Sequence, residues 1–599
     1  MKNSTSLITG ALAITLLSAC HPIGANNGRI ADEKAGMHFS YDDSTLNNHV
    51  LPVMLPYNRV IDPAGKVIRF GDPRMENHSL DAKLIPQSTI LVVEDRFGIT
   101  LIDTVKASVI ANWSYNSDSK YGGLMSTYSG IKIWNTGTET QIFWSAADAG
   151  HRSFVMQAKW DGQKITLQNS FSFKPLPPSP LALPNEVFVK TENYKDYLYV
   201  VLNGNNQLVK IDLKTQQTVW TKSTGVAPYG IASIGKQVFV TNWGGPTPAA
   251  DTTSRETAGV PYGATYIDPK TGATAEGSVQ VFDNEGVLIK EIPVGLHPNV
   301  IISSKDEKYL YVADANSDKI SVISVADQRV AEDIPVKLMA GTTGFIGDSP
   351  NALAISDDGK TLYAANGMDN AVAVIKLGQN AAANGKGNSA VKGFIPTEAY
   401  PGGLLLDGNT LFVTNLEGEG SNISTNEFKT SEVPAGVTAY NSHHERATIS
   451  IIPVPDDRQL RQYTDRVKGL NLSFRENIAQ LIPRKNIQPK PIPDRIGEPS
   501  VFQHVLYIIK ENRTYDQVLG DIGQGNSMPS LCIYGNAITP NQHQIAKDFL
   551  LLDNYYASGK CSAEGHQWTD AAMVTDYVEK KCTLLVSELP ARAGRRPCI

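Results

Sequence analysis

The sequence predicts a multidomain chain: an all-β propeller of about seven blades, followed by a partial α/β domain. Three observations carry this prediction. A unit of short paired strands recurs through residues 185–455. A connector rich in proline and charge, IPRKNIQPKPIPDRIGEP, then marks a domain boundary at residues 482–499. Beyond it, an apolar run from Val505 to Ile509 stops abruptly at Lys510, Glu511, Asn512 and Arg513.

The repeat is read from four segments. Pro228, Pro298, Pro350 and Pro401 each open an apolar strand. A tight turn and a second strand follow, ending at Asn242, Asp314, Asn366 and Asn415. Two units run on into a third alternating strand, Lys319 to Val325 and Ala371 to Ile375. Alternation along each segment is the period of a half-buried strand, and a fixed spacing of several strands is the mark of a propeller blade. The gap between Pro228 and Pro298 is longer and holds an insertion rich in Gly, Pro and Thr at residues 244–276, read as a tolerated surface loop or a contact loop. Upstream, Ser88 to Glu94, Ile131 to Trp134, Gln141 to Trp144 and Phe154 to Lys159 also read as strands. They lack the signature and are assigned to degenerate blades of the same ring, which is placed at residues 50–455. His443, His444 and Glu445 form a tempting metal cluster. Adjacent strand residues point to opposite faces, so His443 and His444 are not expected to share an ion.

Composition sets the broad class. The 599 residues are 41% hydrophobic and 19% charged, with a formal net charge of −6. That leaves no basic footprint for nucleic acid, which is excluded as a partner. Residues 1–20 read as a targeting segment: Lys2, an apolar core from Leu7 to Leu17, and Leu17-Ser18-Ala19-Cys20. Small residues ahead of that cysteine resemble a bacterial lipobox. The resemblance implies lipidation of Cys20, a tether over residues 21–49, and a place in the bacterial envelope facing the periplasm from the outer membrane. No cysteine follows until Cys532, then Cys561, Cys582 and Cys598, so no disulfide framework is expected. Cys532 and Cys561 are the candidate pair.

The repeats resemble the YVTN-type β-propeller of bacterial surface and periplasmic proteins. After a linker at residues 456–499, helical in its first part, Val505–Ile509 reads as a strand buried on both faces. The polar residues at its end then sit where open α/β sheets bind ligands. The plain alternative is a polar loop capping a helix near Tyr515. Lys510-Glu511-Asn512-Arg513-Thr514-Tyr515-Asp516 resembles the E-N-R-[ST]-[FY]-D signature of the phosphoesterase family. That family, within the alkaline-phosphatase superfamily, holds acid phosphatases and phospholipase C-like enzymes. Phe549 to Tyr556 resembles its second core strand, and Ser558-Gly559 with Ser562-Ala563-Glu564-Gly565-His566 resembles its nucleophile loop. The combination resembles bacterial YncE-like propellers fused to an alkaline-phosphatase-like domain. The resemblance implies metal-dependent hydrolysis of phosphoester bonds in a small-molecule substrate. Glu511 and Asn512 would bind a divalent cation, which suits hard oxygen donors. Ser562, ahead of a helical stretch from Trp568 to Val578, would be the nucleophile, with Ser558 second. Arg513, His543 and His566 are candidate pocket residues; Arg513 has a structural alternative in pairing with Asp516.

The resemblance covers residues 500–580. The tail at residues 581–599 departs from it and reads as a truncated or frame-shifted end that lacks the family's later Asp and His ligands. Two functions are therefore weighed. One is a lipid-anchored phosphoesterase impaired by truncation. The other is a propeller binding module or envelope scaffold, with an unidentified ligand or protein partner and a vestigial C-terminal segment.

Overall fold

The structure is a computed structural model. It describes residues 52–421 and 444–578, apart from 56–58, 74, 128, 138, 250–256, 261–262, 269–273, 340–346, 379–387, 474–479, 554, 556, 560–561, 573 and 576–577. The described residues fall into two compact units, one of residues 52–504 with 557–578, the other of residues 505–555.

The first unit is a seven-bladed propeller. Blade one is the antiparallel sheet of Ser79–Leu84, Ile90–Asp95, Gly98–Asp103 and Ser108–Ser114. Blades three to six follow the same up-and-down order, beginning at Pro184, Pro228, Pro298 and Pro350. Blade two has its first strand split into Met125–Ser126 and Lys132–Asn135, both paired with Thr140–Ala147. The upstream strands without the repeat signature thus build blades one and two. The first strands of the seven blades touch one another in a closed ring, which makes them the inner strands around the axis. Two insertions, residues 244–276 and the segment containing 422–443, occupy the same place, between second and third strands, in blades four and seven. The first carries a hairpin, Thr257–Val260 with Gly263–Tyr266. His443 lies outside the described residues.

Blade seven closes the ring with strands from both ends of the propeller. Ala399–Asp407, Thr410–Gly418 and Ala447–Pro453 come from the end, and the outermost strand is Lys66–Phe70 from the start. A ring closed this way cannot open without breaking the Lys66–Ile451 to Phe70–Ala447 ladder. Closure by hydrogen-bonded strands also removes free sheet edges between the first and last blades.

Buried charge reinforces this seam. Arg69 forks onto Glu419 and Glu398, with its side chain only 5% exposed. Next to it, His78 Nδ1 donates to the Leu416 carbonyl at 2.6 Å, and Nε2 lies 3.2 Å from Glu76. Glu76 also takes Arg96 Nη1 at 2.7 Å. Glu417 and Glu445 approach His78 Nδ1 at 4.0 and 3.8 Å. Glu445, read from sequence only as a neighbour of His444, belongs to this seam.

The recurring Pro and Asn/Asp are now explained. The residue before each proline, Leu183, Ala227, His297, Ser349 and Tyr400, has φ between 50° and 55°. Left-handed backbone costs an L-residue roughly 1–2 kcal/mol, so each must be held. In four cases its carbonyl accepts the N–H just beyond the second strand: Asn203, Trp243, Ala315 and Gly367 donate to Leu183, Ala227, His297 and Ser349 at 2.9 to 3.1 Å. The proline then enters an inner strand at a position where no ladder N–H is needed. The Asn/Asp side chains are fully buried. Asn203 Nδ2 donates to the Pro228 carbonyl of the next blade, Asn366 Nδ2 to the Val336 carbonyl, and Asp314 accepts from Ser321 Oγ. A buried hydrogen bond of this kind is worth about 0.5–1.5 kcal/mol net, and more is lost when one partner is removed.

The linker's helical rhythm becomes helix α1, Asp457–Leu470, capped by Asp456 accepting from Gln459 N. It buries Leu460 and Val467 against blade six. Gly393 makes the approach feasible: a Cβ there would sit 2.4 Å from Thr464 Oγ1, which accepts from Phe394 N. The helix ends at Leu470, with Asn471 bonding back to Val467 and Asp369.

In the second unit the expected buried strand is not formed. Val505 to Ile509 has no regular structure, and its side chains are exposed by 39% to 86%. A doubly buried strand needs ladder partners at its edges and a layer on each face, and the described residues supply neither. Phe549, Leu550 and Leu552 are likewise exposed and unpaired as strand. The plain alternative holds: a short helix, Tyr515–Leu519, follows, with Gln517 Oε1 accepting from Thr514 N.

Replacing Arg69 by Met should destabilise the propeller by about 3–5 kcal/mol, the usual cost of stranding buried carboxylates. Chemical denaturation would measure it, and a loss under about 1 kcal/mol would remove the seam's charge network from this account.

Candidate functional site

Each inner strand turns alternate side chains toward its neighbours in the ring. In blades four to seven the half-buried inner positions carry only neutral side chains, Ile234, Val300, Ile302, Ile355 and Leu405 among them. Blades one to three differ. They present Lys83, Lys132, Glu186, Phe188 and Lys190. Charge is therefore concentrated on one side of the axis.

Within that arc the groups are unequally compensated. Lys83 donates to Asp81 Oδ2 at 2.6 Å, and its side chain keeps 34% exposure, so solvent reaches it. Lys190 is bonded to the Gly235 carbonyl and Asn284 Oδ1. Lys132 and Glu186 have no hydrogen bond or ion pair among the described residues, although each feels the other's charge. The Lys132 ammonium stands 4.9 Å over the Phe188 ring. Burial pulls its pKa down, with Lys83 adding to the effect. Burial pushes the Glu186 carboxyl up to about 7; Asp81 raises it further, and Lys83 and Lys132 oppose.

Behind this pair lies Glu94, directly opposite Asp81 in the blade-one ladder. It is wholly buried, and neither carboxyl oxygen has a hydrogen-bond partner. Burial, then Asp81 and Glu186, hold its pKa well above the usual carboxylate range. A buried carboxylate without a cation is expensive, so burial favours the neutral form of Glu94. The local backbone fits this polar pocket. The inner strand of blade two is split between Ser126 and Lys132, with Gly130 at φ 121° against the Asn185 carbonyl. Thr127 Oγ1 and Ser145 Oγ donate to the Pro184 and Asn185 carbonyls, tying blade two to the bulge that carries Glu186.

None of these residues was singled out from the sequence. They lie about fifty residues apart, one blade from the next, and the packing of successive blades brings them together. The residues that were singled out lie elsewhere. Glu511, Asn512 and Arg513 are exposed, with Asn512 at φ 78°. Arg513 does not pair with Asp516: it donates to the Asn512 carbonyl and its guanidinium stands 5.3 Å over the Tyr534 ring, while Asp516 accepts from Met528 N. His543 is buried, its Nε2 2.7 Å from Asp521 and its Nδ1 on Thr539, which ties helix Pro540–Asp548 to the loop before it. Ser562 is half-buried and opens a helix that runs Ser562–Ala571, earlier than the expected start at Trp568; His566 is exposed on it. Ser558 is half-buried before that helix. Cys532 is a free thiol 3.4 Å from Asp521 Oδ1, while Cys561 and Cys20 lie outside the described residues. Among the described residues no three His, Cys, Asp or Glu are grouped to hold a metal ion, and no helix is long and apolar enough to cross a membrane.

No family model and no curated protein matches the chain. Solved structures do resemble it over the propeller. Hydrazine synthase of Kuenenia stuttgartiensis is 13% identical, matching 57% of this chain and 93% of that one with a TM-score of 0.41. Hsv2 of Kluyvelomyces marxianus is 8% identical over 57% and 89%, TM-score 0.35. A candidate 6-phosphogluconolactonase of Bacteroides uniformis is 12% identical over 57% and 88%, TM-score 0.36. At these values the propeller assignment rests on the strand order itself.

Buried carboxyls set a pH dependence for the whole fold. Burial raises Asp95 and Asp348 to about 6, Asp314 and Glu186 to about 7, and Glu398 to about 8. Each binds its proton more tightly folded than unfolded, so its contribution is complete below the unfolded value and is lost as pH rises through the folded one. The thermal midpoint should therefore fall between pH 5 and pH 8.5. A midpoint that holds steady or rises over this range would contradict the burial assigned to these groups.

Proposed function

We propose that the chain is a binding module: the propeller is the working part, and a small polar ligand is held at the inner strands of blades one to three. The observation that carries this reading is the uncompensated pair, Lys132 and Glu186, placed in a solvent-reached arc of an otherwise neutral ring. Unpaired opposite charges on a rigid frame are costly to maintain without a ligand to complete them. Inner strands of a closed ring also hold side chains more rigidly than loops do, which lowers the ordering cost of binding.

A second reading is phosphoester hydrolysis by the C-terminal segment. It is supported by the KENRTYD and SAEGH motifs, and by the place of Ser562 at the start of a ten-residue helix, where backbone N–H groups favour an anion. In that reading Glu511 and Asn512 supply oxygen donors to a divalent cation, and lipidation at Cys20 holds the protein at the periplasmic face of the outer membrane. An envelope scaffold without a small ligand is the third reading, and it needs no axial site.

The readings separate in one pair of assays on the full chain. A thermal-shift screen of small polar metabolites should yield ligands whose stabilisation disappears in Lys132→Met and loses its pH dependence in Glu186→Gln. Ligands that stabilise both variants as well as the parent would sink the axial site. Hydrolysis of p-nitrophenyl phosphate with added Mn²⁺ or Zn²⁺ should stay at the blank rate. A metal-dependent rate lost in Glu511→Ala and in Ser562→Ala would instead establish the second reading.

A further inference from the structure

The arc of blades one to three also indicates the chemical class of its ligand; this step rests on the axial site just proposed. The charges can be counted. Lys83 is neutralised by Asp81 at 2.6 Å. Glu94 is buried without a cation partner, which favours its neutral form. Lys190, farther along the strand, is bonded to the Gly235 carbonyl and Asn284 Oδ1 and lies 3.9 Å from Glu192. The remaining groups beside the Phe188 ring are Lys132, with no anion on it, and Glu186, with no cation on it. When Glu186 carries a proton, one positive charge is left over, which a monoanion balances. A dianion would leave an uncompensated negative charge beside Asp81. Around that charge stand an apolar platform, the Phe188 ring under the Lys132 ammonium, and a hydrogen-bonding carboxyl, Glu186, two residues earlier, at the bulge of the strand.

We infer that the site captures a small hydroxylated monocarboxylate, with its carboxylate on the Lys132 ammonium, its carbon frame on the Phe188 ring and its hydroxyls against the Glu186 carboxyl. Charge-assisted bonds to an ammonium in a partly desolvated site are the strong ones, so Lys132 dominates affinity. Glu186 sets its pH dependence. The groups that face it are Lys83, Lys132 and Asp81, with Glu94 behind. Protonated, Glu186 donates to the ligand; ionised, it repels the carboxylate. Binding is therefore strongest below the Glu186 pKa of about 7 and weakens above it. One proton with that pKa makes binding about tenfold weaker at pH 8 than at pH 6.

The test uses the full chain and four probes of similar size: glycerate, glycerol 3-phosphate, neutral glycerol and cationic ethanolamine. Titration calorimetry at pH 6 and pH 8 reads each affinity. Glycerate should bind, about tenfold more weakly at pH 8. Lys132→Met should abolish the binding, with the fold checked by circular dichroism. Glu186→Gln should keep it and make the two pH values equal, a result that a merely structural role for Glu186 would not produce. Ethanolamine binding that needs Glu186, or glycerol 3-phosphate binding more tightly than glycerate at pH 6, would overturn the monocarboxylate assignment and leave the axial site standing. No heat from any probe at tens of millimolar, or binding untouched by both substitutions, would overturn the assignment and the site together.

Discussion

The pairing of Lys66–Phe70 with Ala447–Pro453 is the constraint on which the rest of the molecule depends. Each blade buries its faces only against its neighbours, so seven blades in a row leave two apolar faces unprotected. Closing the row into a ring covers both. The chain does so by placing a strand from its beginning on the outside of its last blade, and it places Arg69 of that strand among Glu398 and Glu419. Buried ion pairs add little net stability compared with apolar packing, but they penalise any other register strongly. At this seam a wrong register would strand Arg69 and the carboxylates that face it, so the charges select the register and the apolar faces drive the closure.

Closure has a local counterpart repeated around the ring. A residue in left-handed backbone, then a proline, then a fully buried Asn or Asp two strands' length away form one mechanical joint. In blade three the joint fixes where the inner strand starts, and so the height of Glu186; Asp81, Lys83 and Lys132 are placed by the ladders to Ile90–Asp95 and Thr140–Ala147. The candidate site is a product of this scaffold. Three successive blades contribute one or two residues each, and the contact between their inner strands brings these residues together.

This explains what could be read from the sequence. The joint is local, so the prolines at 228, 298, 350 and 401, with their Asn/Asp partners, disclosed the fold and its repeat. Blades one and two lack the motif because their inner strands begin with Ser79 and with a split strand at Met125, yet alternating apolar residues still marked their strands. Lys66–Phe70 was hidden because its partner is nearly four hundred residues away. The axial charges were hidden for the same reason: a lone lysine or glutamate on a half-buried strand has no local signature. The C-terminal segment failed in the other direction. Val505–Ile509 has the composition of a buried strand, but composition does not provide a neighbour, and its side chains face solvent. His443 and His444 drew attention by adjacency, whereas the structure uses Glu445 beside them, with His78 from the opposite end of the ring.

The most direct measurement of this account is amide hydrogen exchange in the native protein, followed peptide by peptide. Exchange protection reports the free energy of opening each segment. Residues 66–70 should be protected as strongly as residues 447–453, because the two strands open only when the ring does. Rapid exchange at 66–70 beside slow exchange at 447–453 would show a propeller that is not closed by its first strand, and would contradict the constraint on which the fold depends.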